Sequence, residues 1–140
     1  MWVAGGYRLY YSTDGMTWTQ GNITSGYGSI NRVYYANSMW VACSGAYGLY
    51  YSTDGMIWTQ GNITSGYFYD IYNANGMWVA CRGYTDDGDK GLYYSTDGIV
   101  WIQSNITDVS FDCVYNANGI WVAGSRDSND LYFSISFAGL

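Results

Sequence analysis

The stretch Tyr51-Ser52-Thr53-Asp54-Gly55-Met56-Ile57-Trp58 decides the fold. Nearly the same string stands at Tyr11-Ser12-Thr13-Asp14-Gly15-Met16-Thr17-Trp18 and again at Tyr94-Ser95-Thr96-Asp97-Gly98-Ile99-Val100-Trp101. Its aspartates are 40 and 43 residues apart, a period that marks small supersecondary units stacked in series. The neighbouring segments keep the same step. Trp-Val-Ala starts at Trp2, Trp40, Trp78 and Trp121; Leu-Tyr-Tyr/Phe-Ser starts at Leu9, Leu49, Leu92 and Leu131; a segment ending in Ala-Asn covers 33–37, 71–75 and 114–118.

These segments are short, rich in Tyr, Trp, Val and Ile, and separated by Gly, Asn, Ser and Asp, which is the pattern of strands joined by tight turns. No helix-length amphipathic pattern competes. Asn37-Ser38, Asn75-Gly76 and Asn118-Gly119 join the Ala-Asn segment to Trp-Val-Ala, and Asn-Gly favours a hairpin because both residues accept positive φ. The third strand, Leu49 to Ser52, runs into Thr53-Asp54-Gly55, and the fourth starts at Met56 and carries Trp58.

A four-stranded antiparallel meander that cannot bury both faces alone, repeated in tandem, predicts an all-β chain of β-propeller blades without helices, about three and a half blades in all. With strands lettered A to D from the inside out, 1–30 reads as a partial blade BCD, 31–68 and 69–110 as full blades, and 111–140 as a partial blade ABC in one repeat array. The stretch from Asn62 to Tyr67 returns the chain to the next inner strand. Open end blades expose unpaired strands and apolar faces, so a closed homo-oligomer, most simply a homodimer, is expected.

At these residues the chain resembles the Asp-box, or bacterial neuraminidase repeat, family, whose pattern is Ser-x-Asp-x-Gly-x-Thr-Trp. Each box here is one residue shorter between Asp and Trp, and the fourth copy has Ser136 where the aspartate would stand. The resemblance implies a scaffold role for Ser12, Asp14, Gly15 and Trp18, for Ser52, Asp54, Gly55 and Trp58, and for Ser95, Asp97, Gly98 and Trp101. Local physics agrees: a carboxylate before Gly can accept N–H groups of its own turn, Gly supplies positive φ, and Trp fills space between strands. Removing one such aspartate orphans backbone donors at a cost of about 1 to 3 kcal/mol.

Composition narrows the chemistry. The chain has 140 residues, a net charge of −6 and only five cations (Arg8, Arg32, Arg82, Lys90 and Arg126), so nucleic acid is not an expected partner. No apolar run approaches a membrane span, and Met1 leads into Trp2-Val3-Ala4 without a basic leader, so neither membrane insertion nor a signal peptide is expected. Because Met39 and Met77 open the same string, the start reads as a cut through a repeat array. An extracellular, cell-surface or virion-surface setting fits such arrays. The three cysteines, Cys43, Cys81 and Cys113, are expected to be buried free thiols.

All 11 acidic residues are Asp, and there is no His. The sialidases of the resembled family use a Tyr activated by Glu and three arginines on the substrate carboxylate; without Glu, and with arginines at unrelated repeat positions, that activity is not expected. Asp70 and Asp112, near the inner strands, are the carboxylates a glycosidase pair would need, but they read as solvated channel residues. No catalytic residue and no cofactor is assigned. Asp86, Asp87 and Asp89 form an acidic insertion, a weak calcium candidate without EF-hand spacing, so no metal is expected. Asn22, Asn62 and Asn105 head Asn-Ile-Thr sequons explained by repeat copying rather than glycosylation.

Exposed tyrosines remain. Tyr7, Tyr27, Tyr47, Tyr67 and Tyr84 lie in connections, where an aromatic plane with Asn, Ser and Gly suits sugars or protein surfaces. Tyr27, Tyr67, Tyr84, Arg32 and Arg82 are the ligand-binding candidates. The reading is a non-catalytic recognition or adhesion module on a microbial or phage surface protein, with a glycan or a cell-surface protein as partner and carbohydrate as the more specific target. The alternatives are a fragment of a sialidase-like glycoside hydrolase and a purely structural duplicated repeat without ligand.

Overall fold

In the computed structural model, which describes residues 1–23, 26, 28–83, 89–125 and 131–134, the hairpin turns adopt the conformation their residues favour. Asn75 and Gly76 have φ of 52° and 77°, and Asn118 and Gly119 have 53° and 77°. Two consecutive left-handed residues give a turn whose twist matches that of the strands it joins. Asn37 and Ser38 follow the same path at 52° and 59°, although a serine is seldom found there.

The first sheet runs β1 (Trp2–Gly5), β2 (Leu9–Ser12), β3 (Thr19–Gln20). The chain then forms β4 (Asn22–Ile23), β5 (Ile30–Ala36), β6 (Met39–Ser44), β7 (Leu49–Ser52) and β8 (Ile57–Gln60), and these five make a sheet of order β4-β8-β7-β6-β5. The third sheet is β9 (Phe68–Ala74), β10 (Met77–Arg82), β11 (Gly91–Ser95) and β12 (Ile102–Gln103); the fourth is β13 (Phe111–Ala117), β14 (Ile120–Ser125) and β15 (Leu131–Ser134). All neighbours are antiparallel except β4 and β8. The fold is all-β and of the propeller class, and no helix forms among the described residues.

Two details depart from the sequence reading. Asn22 and Ile23, expected to lie in a plain connection, pair in parallel with Ile57 and Trp58 as a fifth strand of the second sheet. Trp18 and Trp101 precede short outer strands instead of lying within them, unlike Trp58, which is in β8. Ser136 and the missing fourth box lie outside the described residues.

Each Asp-Gly turn is closed by the same bonds. Asp54 Oδ1 accepts from Met56 N at 2.8 Å and Ile57 N at 2.9 Å, while Ser52 Oγ accepts from Gly55 N at 2.8 Å and donates to Asp54 Oδ1 at 3.0 Å. Asp14 and Asp97 repeat this with Met16 and Thr17, and with Ile99 and Val100. The N–H of Ile57, then that of Met56, holds the Asp54 carboxyl below its ordinary value. For Asp97, burial pushes the carboxyl up, but the Val100 and Ile99 N–H groups outweigh it and the net shift is downward. Gly55, Gly98 and Gly15 sit at φ of 76°, 77° and 78°, and Trp58 Nε1 donates to the Gly55 carbonyl at 3.2 Å.

The sheets stack through one repeated contact. Val41, Cys43 and Leu49 of the second sheet meet Phe68, Ile71, Trp78, Ala80, Tyr93 and Trp101 of the third in a single buried cluster. Val79, Cys81 and Leu92 meet Phe111, Val114, Trp121 and Ala123 in the same way, and Leu9 meets Ile30, Ala42, Tyr50 and Trp58. Cys43 and Cys81 are buried, and burial raises both thiols well above their ordinary value. Cys113, expected to be buried, is exposed, because it occupies the inner-strand position held by Arg32 and Asp70 in the other copies.

Asp70 ties the inner strands together. Its Oδ2 accepts from Val114 N of β13 at 3.0 Å, its Oδ1 accepts from Ile71 N at 2.9 Å, and Arg32 Nε of β5 lies 3.6 Å away. Asn31, at the bulge of β5, donates Nδ2 to the Phe68 carbonyl at 2.7 Å. Tyr34, Tyr72 and Tyr115 form a ladder beside these links, with successive centroids 5.1 and 4.8 Å apart.

Two consequences can be measured by denaturant unfolding. Asp54→Ala is expected to lower stability by about 1–2 kcal/mol at neutral pH, because two turn donors lose their acceptor. The folded carboxyl lies below its ordinary value, so its contribution is full above about pH 4 and fades as the pH falls through the folded value; the difference between wild type and variant therefore shrinks in acid. Asp70→Ala is expected to cost about 1–3 kcal/mol through the Val114 N–H, whereas Arg32→Ala, half of an exposed pair, costs less than about 1 kcal/mol.

Candidate functional site

The repeats differ most usefully at the residue before each Leu-Tyr-Tyr-Ser string, which is Arg8 in the first copy, Gly48 in the second and Gly91 in the third. Gly48 has φ of 77° and Gly91 of 113°. A Cβ built on Gly48 would fall on the Ile63 carbonyl oxygen, and one on Gly91 would fall on the Ile106 carbonyl oxygen. In both copies the loop after the fourth strand occupies the space that a side chain would need.

That loop is fastened in the second copy. Leu49 N donates to the Ile63 carbonyl at 3.1 Å, Gly66 N to the Ala46 carbonyl at 3.2 Å, and Tyr47 bridges Gly66. Gln60 Nε2 donates to the Tyr47 carbonyl at 2.6 Å and to the Thr64 carbonyl at 3.2 Å; in the third copy Gln103 Nε2 donates to the Lys90 carbonyl at 2.8 Å. Asn62 reaches the next sheet, its Nδ2 donating to the Trp101 carbonyl at 3.0 Å and its Oδ1 accepting from Trp101 N at 2.7 Å.

In the first copy this arrangement is replaced. Arg8 is not among the residues with left-handed φ, and Ile23 pairs along Trp58 as part of β4 instead of covering the start of β2. A cleft of about 130 Å³ opens, lined by Tyr7, Arg8, Gln20, Gly21, Asn22, Ile23, Gly26 and Gly28. Asn22 is held by its backbone, whose N–H donates to the Met56 carbonyl at 2.8 Å. The side-chain amides of Gln20 and Asn22 have no protein partner among the described residues, although their counterparts Gln60, Gln103 and Asn62 all do. Tyr7, at the rim, is 72% exposed. The cleft thus combines an aromatic residue and two side-chain amides, groups that bind polyhydroxylated ligands by stacking and by paired donors and acceptors.

The residues singled out from sequence lie elsewhere. Arg82 is buried rather than offered to a ligand: its Nη1 donates to Tyr93 Oη at 3.1 Å and lies 3.6 Å from Asp89 Oδ2, and its guanidinium carbon is 5.7 Å from the ring centres of both Phe68 and Tyr93. Asp89 is engaged in that pair, and Asp86 and Asp87 lie outside the described residues. Among the described residues no group of three or more His, Cys, Asp or Glu side chains could hold a metal ion. Arg32 sits on the inner strand beside Asp70 and 6.0 Å from the Tyr34 ring centre. Tyr67 is exposed, next to the loop that closes the second copy, while Tyr27 and Tyr84 lie outside the described residues. Among the described candidates, Arg82 is turned inward and does not share an exposed surface with Arg32 and Tyr67. Arg8 stands out in the sequence by position rather than by charge, as a non-glycine where the next two copies have glycine.

No family model matches the chain, and no curated protein matches it. Two solved structures resemble it. The computationally designed Ika8 protein aligns with a TM-score of 0.59 and 11% identity over 89% of this chain and 40% of its own. The GH74 enzyme of Niastella koreensis aligns with a TM-score of 0.64 and 24% identity over 99% of this chain and 21% of its own. The chain therefore spans well under half of either protein, and at these identities the likeness is one of fold: a β-propeller.

Proposed function

We propose that the chain is a non-catalytic recognition module of Asp-box type that binds carbohydrate at a microbial or phage surface. The observation that carries this reading is the cleft at Tyr7, Gln20 and Asn22, lined by an amide, that of Gln20, whose counterparts Gln60 and Gln103 fasten loops in the next two copies. A sugar ring stacks on an exposed tyrosine and exchanges hydrogen bonds with side-chain amides, and a cleft of about 130 Å³ accepts a single ring or chain end. Among the described residues, the Asp70 carboxylate is engaged with Val114 N, Ile71 N and Arg32, which does not favour a hydrolytic pair with Asp112. Weak single sites of this kind gain strength when several are presented together.

Self-association supplies such presentation. The repeated contact joins a Val-Cys-Leu face to a Trp-Ala-Tyr-Trp face, and each end of the array shows one half of it. Trp18 is 41% exposed where Trp58 is fully buried, and Trp2 and Tyr10 beside it are exposed as well. On the fourth sheet Leu131 is 74% exposed and Val122 39%, while Leu49 is 1% exposed and Val79 fully buried. The two faces differ, so copies meet head to tail, and a contact of this kind either closes a ring or extends a filament. We infer a closed dimer.

Glycan-array binding of the chain with Tyr7→Ala and Gln20→Ala as controls tests the site. Each variant is expected to weaken binding by about tenfold without changing the melting temperature, as removing a stacking or charge-free hydrogen-bonding contact does. Release of reducing sugar from any bound glycan would instead favour the glycoside hydrolase reading, and a blank array the purely structural one. Sedimentation velocity at micromolar concentration is expected to show a dimer that Leu131→Asp converts to a folded monomer. A wild-type monomer would contradict the pairing of the two faces.

A further inference from the structure

We propose that the edge of β1 turned away from β2 is a docking site for an extended, tyrosine-bearing peptide segment of another protein. In the other three sheets that side of the corresponding strand is taken: β5 pairs with β6, β9 with β10 and β13 with β14. β1 is the outermost strand of its sheet, and among the described residues it pairs with β2 alone. Burial shows the edge uncovered. Val3 packs on the second sheet, and a Cβ on Gly5 would meet Ile30 and Val33 there. Their counterparts Val41, Cys43, Val79 and Cys81 also pack on a following sheet and are fully buried, yet Val3 is half-buried and Gly5 exposed. What Val3 and Gly5 lack is a strand at their side. A second vacancy lies where a side chain of that strand would reach. Tyr34 meets Trp78 of the next sheet edge-on at 6.1 Å, Tyr72 meets Trp121 at 6.2 Å, and both tryptophans are buried. Trp40 follows the sheet without an inner strand; it is only half-buried, and its ring lies 4.7 Å from that of Tyr35 in its own sheet.

The repeats specify the occupant. Tyr34, Tyr72 and Tyr115 stand opposite Val41, Val79 and Val122, so a strand laid along β1 in the same register sets a tyrosine opposite Val3. Its ring reaches Trp40 as Tyr34 reaches Trp78, and it extends the tyrosine ladder by one step beyond Tyr34. Opposite Ala4 the same register calls for valine or isoleucine, and opposite Met1 for alanine, as in the pairs Ala80 with Ile71 and Met77 with Ala74. A carboxylate opposite Gly5 neighbours Arg32, because side chains at this position in consecutive sheets come as close as Arg32 and Asp70, 3.6 Å apart. The occupant is thus an extended Asp-Ile/Val-Tyr-x-Ala segment. Unpaired backbone groups of an edge strand supply the binding, and pockets for alternate side chains supply the preference for sequence.

The test uses the end-blocked peptide Tyr-Asp-Ile-Tyr-Asn-Ala-Asn, a copy of residues 69–75, titrated calorimetrically into the wild-type chain. A second peptide carries alanine in place of the tyrosine copied from position 72. Saturable binding of the first peptide is expected, with the second about tenfold weaker through the lost aromatic contact. Hydrogen exchange is expected to slow, in the bound state, at the β1 amides that point away from β2. No binding of the first peptide, or binding that leaves exchange in β1 unchanged, overturns the docking site. Equal binding of the two peptides overturns the tyrosine pocket at Trp40.

Discussion

The structure depends on one contact between consecutive sheets, the Val-Cys-Leu face of one against the Trp-Ala-Tyr-Trp face of the next. No single sheet has a second layer of its own, so its apolar side chains leave water only by stacking. Burying a side chain such as Val41 or Leu49 stabilises by about 1.5–3 kcal/mol, and each junction buries several. Each junction also holds small residues, Cys43 and Ala80 in one and Cys81 and Ala123 in the next, in the same clusters as the tryptophans Trp78, Trp101 and Trp121. This is why the repeats vary little here, and why the same residues are left exposed on the two outermost sheets.

The Ser-Thr-Asp-Gly turns serve that contact rather than a ligand. A serine hydroxyl and an aspartate oxygen satisfy four N–H groups of one turn between them, counting Asp54 N at 3.3 Å from Ser52 Oγ. The turn then delivers its glycine to the preceding sheet: a Cβ on Gly55 would stand 3.0 Å from Val3 Cγ2, and one on Gly98 2.9 Å from Val41 Cγ2. The most repeated string in the chain is thus a spacer between sheets, and individuality is confined to the loops between them.

Much of this was legible in the sequence because it is local or repeated. Asn75-Gly76 and Asn118-Gly119 prescribe their turns through their own φ preferences, and copying of Asp14, Asp54 and Asp97 set the period. What was not legible depends on partners far away along the chain. The string Asn-Ile-Thr reads identically at Asn22 and Asn62, yet the first becomes β4 and the second clamps Trp101 through its side chain. Residue 8 against residue 48 distinguishes them, fourteen positions before each string. Arg82 looked like a surface cation; it is buried because Phe68 and Tyr93 offer ring faces and Asp89 a countercharge, none of which its neighbours announce. Cys113 looked like its two namesakes, but it belongs to the inner strand and faces outward from the core.

The central claim is that a glycine-to-arginine difference separates the first copy, where Ile23 lies along β8, from the next two, where the carbonyls of Ile63 and Ile106 lie against Gly48 and Gly91. Hydrogen exchange of individual amides in the wild-type chain reads it directly, because Leu9 and Leu49 occupy the same place in consecutive copies and both side chains are buried. Leu49 N–H is bonded to the Ile63 carbonyl at 3.1 Å, and among the described residues no corresponding bond joins Leu9 N–H to Ile23. The account predicts strong protection at Leu49 and Gly66 and exchange at least about tenfold faster at Leu9. Equal protection at Leu9 and Leu49 would show that the first loop closes like the second, and would contradict it.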